Sequence, residues 1–188
     1  YPGMVHLYKN EDVFEKTALI QYGQDVLTSL PNQPTLNTGY VTPEWFELLG
    51  AKLEMGRRFE STEALDTFNP VAIISHQIWV DEFESAPDML DKKVSFSGVS
   101  YNVVGVLDED FVDPQIRETG RDVGIWFPWD YNLDVRFKER WGNISGAGSS
   151  AIAQCLYKDH ISNGRYPRNL AVKNKEDFLL PFNTINPS

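Results

Sequence analysis

The stretch that decides the fold runs Val41-Thr42-Pro43-Glu44-Trp45-Phe46-Glu47-Leu48-Leu49-Gly50-Ala51-Lys52-Leu53-Glu54-Met55-Gly56-Arg57-Arg58-Phe59. Two further pieces follow it, Pro70-Val71-Ala72-Ile73-Ile74-Ser75 and Lys93-Val94-Ser95-Phe96-Ser97-Gly98-Val99-Ser100-Tyr101-Asn102-Val103-Val104-Gly105-Val106-Leu107. Thr42 is a favourable N-cap and Pro43 a favourable first helical residue. Trp45, Phe46 and Leu49 then fall on one face of a short helix, and Gly50 is placed to end it with a positive φ. Pro70 to Ser75 is a short apolar run rich in β-branched residues, the mark of a buried strand. Ser75 can cap a second helix whose apolar side is Ile78, Trp79 and Phe83. Val94 and Phe96 alternate with polar residues before Ser97-Gly98, and Tyr101 and Val103 alternate after it, so this piece reads as a hairpin. Gly105 inside its second strand predicts a bulge or a close backbone approach.

Outward from this stretch the signals are weaker. Val5 and Leu7 alternate with His6 and Tyr8 as a strand would, Glu11 to Lys16 reads as a helical turn, and Thr17–Tyr22 and Val26–Leu30 read as two short apolar segments. Pro31-Asn32-Gln33-Pro34 is a turn, and Leu36 to Val41 leads into the first helix. Gly56 to Asn69 is a polar loop in which Arg57 and Arg58 are expected to pair with local acids such as Glu54, Glu60 or Glu63, or to lie solvated. Val123 to Trp129 is an aromatic run, expected to pack in the core or between subdomains. Ala151 to Tyr157 reads as a strand carrying Cys155, a small buried apolar residue on this reading. Gly142 to Ser150 is a flexible Gly/Ser-rich loop. In the tail, Asn163-Gly164 and Pro167 signal turns, and Phe178 to Phe182 is an apolar patch.

Composition bounds the function. The chain has 188 residues, enough for one ordinary domain or two small subdomains with a real core. Its net charge of −10 is uneven: residues 1–113 hold 7 basic and 19 acidic residues, the remainder 10 and 8. Such a balance excludes phosphate-backbone binding, so no nucleic-acid partner is expected. With one cysteine, no disulfide can form within the chain. No run approaches the roughly 18 apolar residues that cross a bilayer, and there is no signal peptide. The chain begins at Tyr1 without a methionine, which reads as a piece of a longer protein.

Catalytic signatures are missing. His6, His76 and His160 lie far apart with no metal-ligand spacing. Ser75 and His76 are neighbours, and adjacent residues on one element point apart, so they make no triad. No G-x-S-x-G elbow or P-loop occurs. The acidic run Asp108-Glu109-Asp110-Phe111-Val112-Asp113 has oxygen ligands but lacks the glycine and final glutamate of an EF-hand loop, and is read as solvated. No catalytic residue, cofactor site or metal site is therefore expected, and the protein reads as a non-enzyme.

The three blocks, in this order and at these gaps, resemble the MacB-like periplasmic core domain, the extracytoplasmic domain of FtsX/MacB-type ABC transporter permeases. That family carries a V-s-p-x-Y/W-F-x-x-L-G block ending in G-R-x-F, then P-V-A-V-I-S-x-x-x-W-x-x-x-F, then K-x-I-x-x-x-G-x-x-Y-x-V-V-G-V. The residues that stand here as family markers are Pro43, Trp45, Phe46, Gly50, Gly56, Arg57, Phe59, Trp79, Phe83, Gly98, Tyr101 and Gly105. Lys158 to Ser188 departs from the pattern. The resemblance implies an α+β fold of two subdomains: a discontinuous porter-like βαβ-type unit (1–50 plus 120–188) and an inserted Sabre-like unit of mixed strands and short helices (51–119). It implies a place on the periplasmic face of the inner membrane within an integral membrane protein. The partners it implies are the permease's own membrane helices, its ATPase, a possible homodimer and a possible periplasmic adaptor. Its implied role is to pass ATP-driven motion outward. Two other readings compete: a stand-alone sugar- or peptide-binding module using the Trp126–Trp129 aromatics, and a hydrolase using the acidic run about Asp110.

Overall fold

The structure is a computed structural model and describes residues 8–9, 14–63, 65–114, 122–131 and 152–157. The chain divides into two compact units, Tyr1–Tyr157 and Lys158–Ser188, the second outside the described residues. The expectations for Val5 to Leu7, Gly142 to Ser150 and the tail also lie outside them. Among the described residues there are eight strands: β1 Phe14–Val26, β2 Thr35–Val41, β3 Leu53–Gly56, β4 Val71–Ile74, β5 Lys93–Phe96, β6 Val99–Leu107, β7 Ile125–Pro128 and β8 Ile152–Tyr157. Two short α-helices join them, α1 Glu44–Leu48 and α2 His76–Phe83. All strands belong to one mixed sheet of order β3-β6-β4-β7-β2-β1-β8, with β5 paired to β6. The fold is α+β, as the sequence predicts.

Pairing explains where the sequence misleads. Glu11 to Lys16 reads as a helical turn and Thr17 to Leu30 as two separate segments, yet Phe14–Val26 is a single 13-residue strand. Tyr8, read with a strand, is helical, as is Lys9. β1 has a partner on each side: β8 pairs with Phe14 to Ile20, and β2 pairs with Ile20 to Val26, both antiparallel. The β2 ladder holds Gln21, Gln24 and Asp25 extended, whatever their composition suggests. Thr42 does not cap α1. Its hydroxyl instead accepts from the Leu19 N–H at 3.0 Å, and its own N–H donates to the Leu19 carbonyl, closing the end of the β1–β2 ladder. The helix starts one residue later than predicted, with Pro43 at the N-cap. Ser75 does cap α2, accepting from the Ile78 N–H at 3.2 Å.

The sheet is buried on both faces at its centre. Every residue of β4 and β7 is buried, which is why both read as continuous apolar runs rather than alternating ones. Ile73 and Trp126 face a cluster containing Trp45 and Phe46 of α1, Val41 and Leu107. Ile74 and Phe127 face a second cluster containing Tyr40, Phe96, Tyr101 and Val103. Ile78, Trp79 and Phe83 of α2 pack against this second cluster from partly buried positions. The hairpin β5–β6 turns at Ser97 (φ 46) and Gly98 (φ 78), two positive φ values as a type I′ turn requires.

The ladder also closes on itself. Leu27, one residue past β1, forms an antiparallel bridge with Phe96 of β5. A ring β1-β2-β7-β4-β6-β5 results, and the Tyr40/Phe96/Tyr101/Phe127 cluster fills its inside. β3 and β8 extend the sheet beyond the ring.

Candidate functional site

The aromatic run after Val123 is the first candidate, and the structure overturns its use as an exposed platform. Trp126, Phe127 and Trp129 are each 1% exposed. Alternation along β7 sends Trp126 and Phe127 to opposite faces. Phe127 stacks within 4.4 Å of Tyr101 and 5.2 Å of Phe96, while Trp126 lies edge-on to Phe46 at 5.9 Å and Phe111 at 5.7 Å. Gly39 pairs opposite Trp126, and any Cβ on it would sit 2.6 Å from the indole, so the glycine makes room for the ring. These rings are core because no water-facing side remains to them.

Gly56 and Gly105 explain one another. They are paired across β3 and β6, and the Arg57 N–H donates to the Val104 carbonyl at 2.8 Å just beyond. A Cβ on Gly105 would stand 2.5 Å from the Arg57 carbonyl oxygen, and one on Gly56 would press on the Val104 carbonyl oxygen. Two backbones can approach this closely only without side chains. Phe59 then turns inward against Phe46, with ring centroids 5.7 Å apart. Gly50 takes φ 64 after α1.

The strongest ionic contact follows directly. Arg57 binds Glu63 in a bidentate pair, 2.9 Å and 2.8 Å, and Glu63 also accepts from the Glu60 N–H at 2.8 Å and from Asn69 at 3.2 Å. Glu63 is 1% exposed. Burial pushes its carboxyl up, but the Arg57 guanidinium and the Glu60 N–H outweigh this and hold it below the ordinary 4.5. The Glu63 hydrogen bond in turn raises the Arg57 guanidinium above its usual range, against the opposing effect of burial. Arg57 therefore spends both arms on its own loop, and Arg58 donates to the Ala51 carbonyl.

A second buried carboxylate organises the end of that loop. Asp130, 1% exposed, accepts from the N–H groups of Asp66 at 2.9 Å, Thr67 at 2.8 Å and Phe68 at 3.0 Å. Tyr131 donates its hydroxyl to the Phe68 carbonyl, and their rings meet edge-on at 6.2 Å. Asp66 (φ 62) and Phe68 (φ 50) hold left-handed conformations within this grip, and Phe68 is left half exposed. The sequence reading names Glu63 among the acids expected to pair with Arg57, as found, but misses Asp130. The available signal for Asp130 was one acid enclosed by Trp129 and Tyr131, since a lone carboxylate among aromatics must find donors.

The remaining candidates are placed as follows. Ser75 spends its hydroxyl on the α2 cap, and His76 meets Trp79 edge-on at 5.6 Å. Trp79, read as core, is partly buried and donates its indole N–H to the Ala86 carbonyl at 2.9 Å; Phe83 is likewise partly buried. The reason is position: α2 packs one face against the second cluster and turns the other, with Gln77 and Val80, to solvent. In the acidic run, Asp108 accepts from the Asp110 N–H at 3.0 Å, and buried Asp113 accepts from the Tyr22 hydroxyl at 2.7 Å. No three His, Cys, Asp or Glu side chains gather as metal ligands among the described residues. Cys155 lies on β8 opposite Thr17, its side chain outside the described residues, as are His6 and His160. A shallow groove of about 540 Å³ opens between the β1–β2 turn and the end of α2, lined by Leu30, Phe83, Ala86 and Lys93 among others. No helix among the described residues is long and apolar enough to cross a membrane.

Among the described residues the centre of the mixed sheet is buried on both faces, and the buried carboxylates Glu63 and Asp130 fix the loop before β4. The chain belongs to the MacB-like periplasmic core domain family, whose model matches residues 7–155. Its fold is similar to the periplasmic region of MacB from Actinobacillus actinomycetemcomitans, at 16% identity and a TM-score of 0.60 over 86% of this chain and 66% of that one. It is also similar to the extracellular domain of the noncanonic ABC-type transporter YknZ from Gram-positive bacteria, at 14% identity and a TM-score of 0.60 over 84% of this chain and 73% of that one. A third neighbour is a domain of a permease protein from Porphyromonas gingivalis, at 15% identity and a TM-score of 0.54 over 83% of this chain and 61% of that one. The chain thus spans about two thirds of the length of these neighbours. No curated protein sequence matches it.

Proposed function

We propose that this chain is the non-catalytic extracytoplasmic part of an ABC transporter permease, moved by ATP hydrolysis on the other side of the membrane and acting on a substrate or partner outside it. The observation that carries the reading is the family match over residues 7–155. Its partners on this reading are the permease's membrane helices and ATPase, with a second copy and a periplasmic adaptor as further candidates. It needs no cofactor of its own. The division into 1–50 plus 120–188 and 51–119 belongs to the same reading. In its support, β3, β4, β5 and β6 are neighbours, β1, β2, β7 and β8 are neighbours, and strand pairing joins the groups only at Ile73 and Ile74 with Trp126 and Ile125 and at the Leu27–Phe96 bridge among the described residues.

A domain that transmits motion should move as a body. The test is a fluorophore at Val112→Cys, a site 74% exposed, in a full-length permease carrying Cys155→Ser. With acceptor-labelled lipid in the outer leaflet and the ATPase present, energy transfer is expected to change between nucleotide-free and ATP-bound states. Transfer that stays constant through the cycle contradicts transmission.

A further inference from the structure

The strand ring closes unevenly. Within it the other junctions carry two to seven registered residue pairs, whereas β1 and β5 meet through the single bridge Leu27–Phe96. What reinforces that bridge is exposed and made largely by side chains. The Thr28 N–H and hydroxyl both donate to the Ser95 carbonyl at 2.9 Å, the Ser95 N–H donates to the Ser29 hydroxyl at 3.2 Å, and Ser97 donates to the Asp25 carboxylate. Closure then runs out. Ser95 directs its N–H and carbonyl outward to residues 28 and 29, so the two-residue period of a strand directs those of Lys93 outward as well. There the shallow groove begins rather than another strand. Behind the junction lie Leu27 and Phe96, each 1% exposed, and the aromatic interior.

We infer that the junction of residues 25–29 with 93–97 is a built-in seam, at which the β5–β6 hairpin lifts from the end of β1 while the β4–β6, β4–β7 and β2–β7 ladders stay paired. Hydrogen bonds to solvent-exposed hydroxyls open at little cost, because water replaces each partner. Ladders buried on both faces open only with the domain. The seam joins residues 25–29 to a hairpin more than sixty positions along the chain, so its opening changes how the hairpin is carried without unfolding either side.

Amide hydrogen exchange on this chain tests it, and the structure supplies its own control. The Leu27 N–H bonds to Pro34, across the β1–β2 turn and away from the seam. Seam opening exposes the Thr28 and Ser95 amides and leaves that of Leu27 protected. The expected result is exchange at Thr28 and Ser95 roughly 100-fold faster than at Leu27 and Ile74. Ser97→Gly removes one seam bond while favouring the positive φ of the turn, and is expected to speed Thr28 and Ser95 a further fivefold or so with Leu27 unchanged. Thr28 and Ser95 as slow as Ile74 would overturn the seam. So would Leu27 exchanging as fast as Thr28, which marks simple fraying of the turn, or no response to Ser97→Gly.

Discussion

Three glycines separate two costs that are usually confounded. Gly50 has φ +64 and nothing within 4 Å of an added Cβ, so alanine there meets only the left-handed backbone penalty, about 1–2 kcal/mol. Gly105 is the reverse: its φ is ordinary, but a Cβ would lie 2.5 Å from the Arg57 carbonyl oxygen and 3.1 Å from Leu53. Carbon needs about 3.5 Å, so one backbone must move, and overpacking of this kind costs about 1–3 kcal/mol. Gly56 combines both: φ +80, a Cβ driven onto the Val104 carbonyl oxygen, and the Gly105 Cα only 2.9 Å away. Its alanine variant should lose about 2–5 kcal/mol, the sum of the two. Urea unfolding followed by the fluorescence of the five tryptophans reads all three. In melting temperature, at about 2–4 °C per kcal/mol for a domain of this size, Gly50→Ala should fall a few degrees and Gly56→Ala on the order of 10 °C. Gly56→Ala melting with the parent, or Gly50→Ala costing as much as Gly56→Ala, would refute the claim that backbone approach at the β3–β6 pair selects these glycines.

Glu63 has its carboxyl held below 4.5 in the folded state, so its contribution is present above that pH and is lost as pH falls through the lowered value. Stability measured from pH 6 down to pH 3 should therefore decline less steeply in Glu63→Gln than in the parent, and parallel curves would count against the Arg57 pair. Asp130→Asn keeps the shape but turns an NH₂ toward three N–H donors, and should cost about 2–3 kcal/mol by urea titration. Trp126→Ala empties a fully buried site and should cost about 3–5 kcal/mol, clearly more than Trp79→Ala, whose ring is partly solvated. Equal losses for the two tryptophans would place α2 inside the core rather than on it.

Local chemistry was legible in the sequence wherever one residue type settles a conformation. Ser75 as a cap, Gly50 after α1, the Ser97-Gly98 turn, the buried β4 run and the close approach at Gly105 all follow from φ, capping or apolar periodicity. Long-range pairing was not legible. β1 is a strand because two partners hold it, and its polar residues advertise nothing of the kind. Thr42 illustrates the same limit: a threonine before a helix is a good cap until a strand end needs its hydroxyl more. The ion pair Arg57–Glu63 was within reach of local spacing, whereas Asp130 meets residues more than sixty positions away. Ring closure at Leu27–Phe96 had no sequence signature, because Ser, Thr and Asp at a surface look like any loop.

The measurement that tests the central claim most directly is sidedness. A Val112→Cys, Cys155→Ser form of the full-length protein, expressed in its membrane, is exposed to a membrane-impermeant maleimide in intact cells. An extracytoplasmic permease domain is labelled before lysis and stays with the membrane after an alkaline carbonate wash. Labelling that requires broken cells, or release of the protein into the wash, would contradict the account.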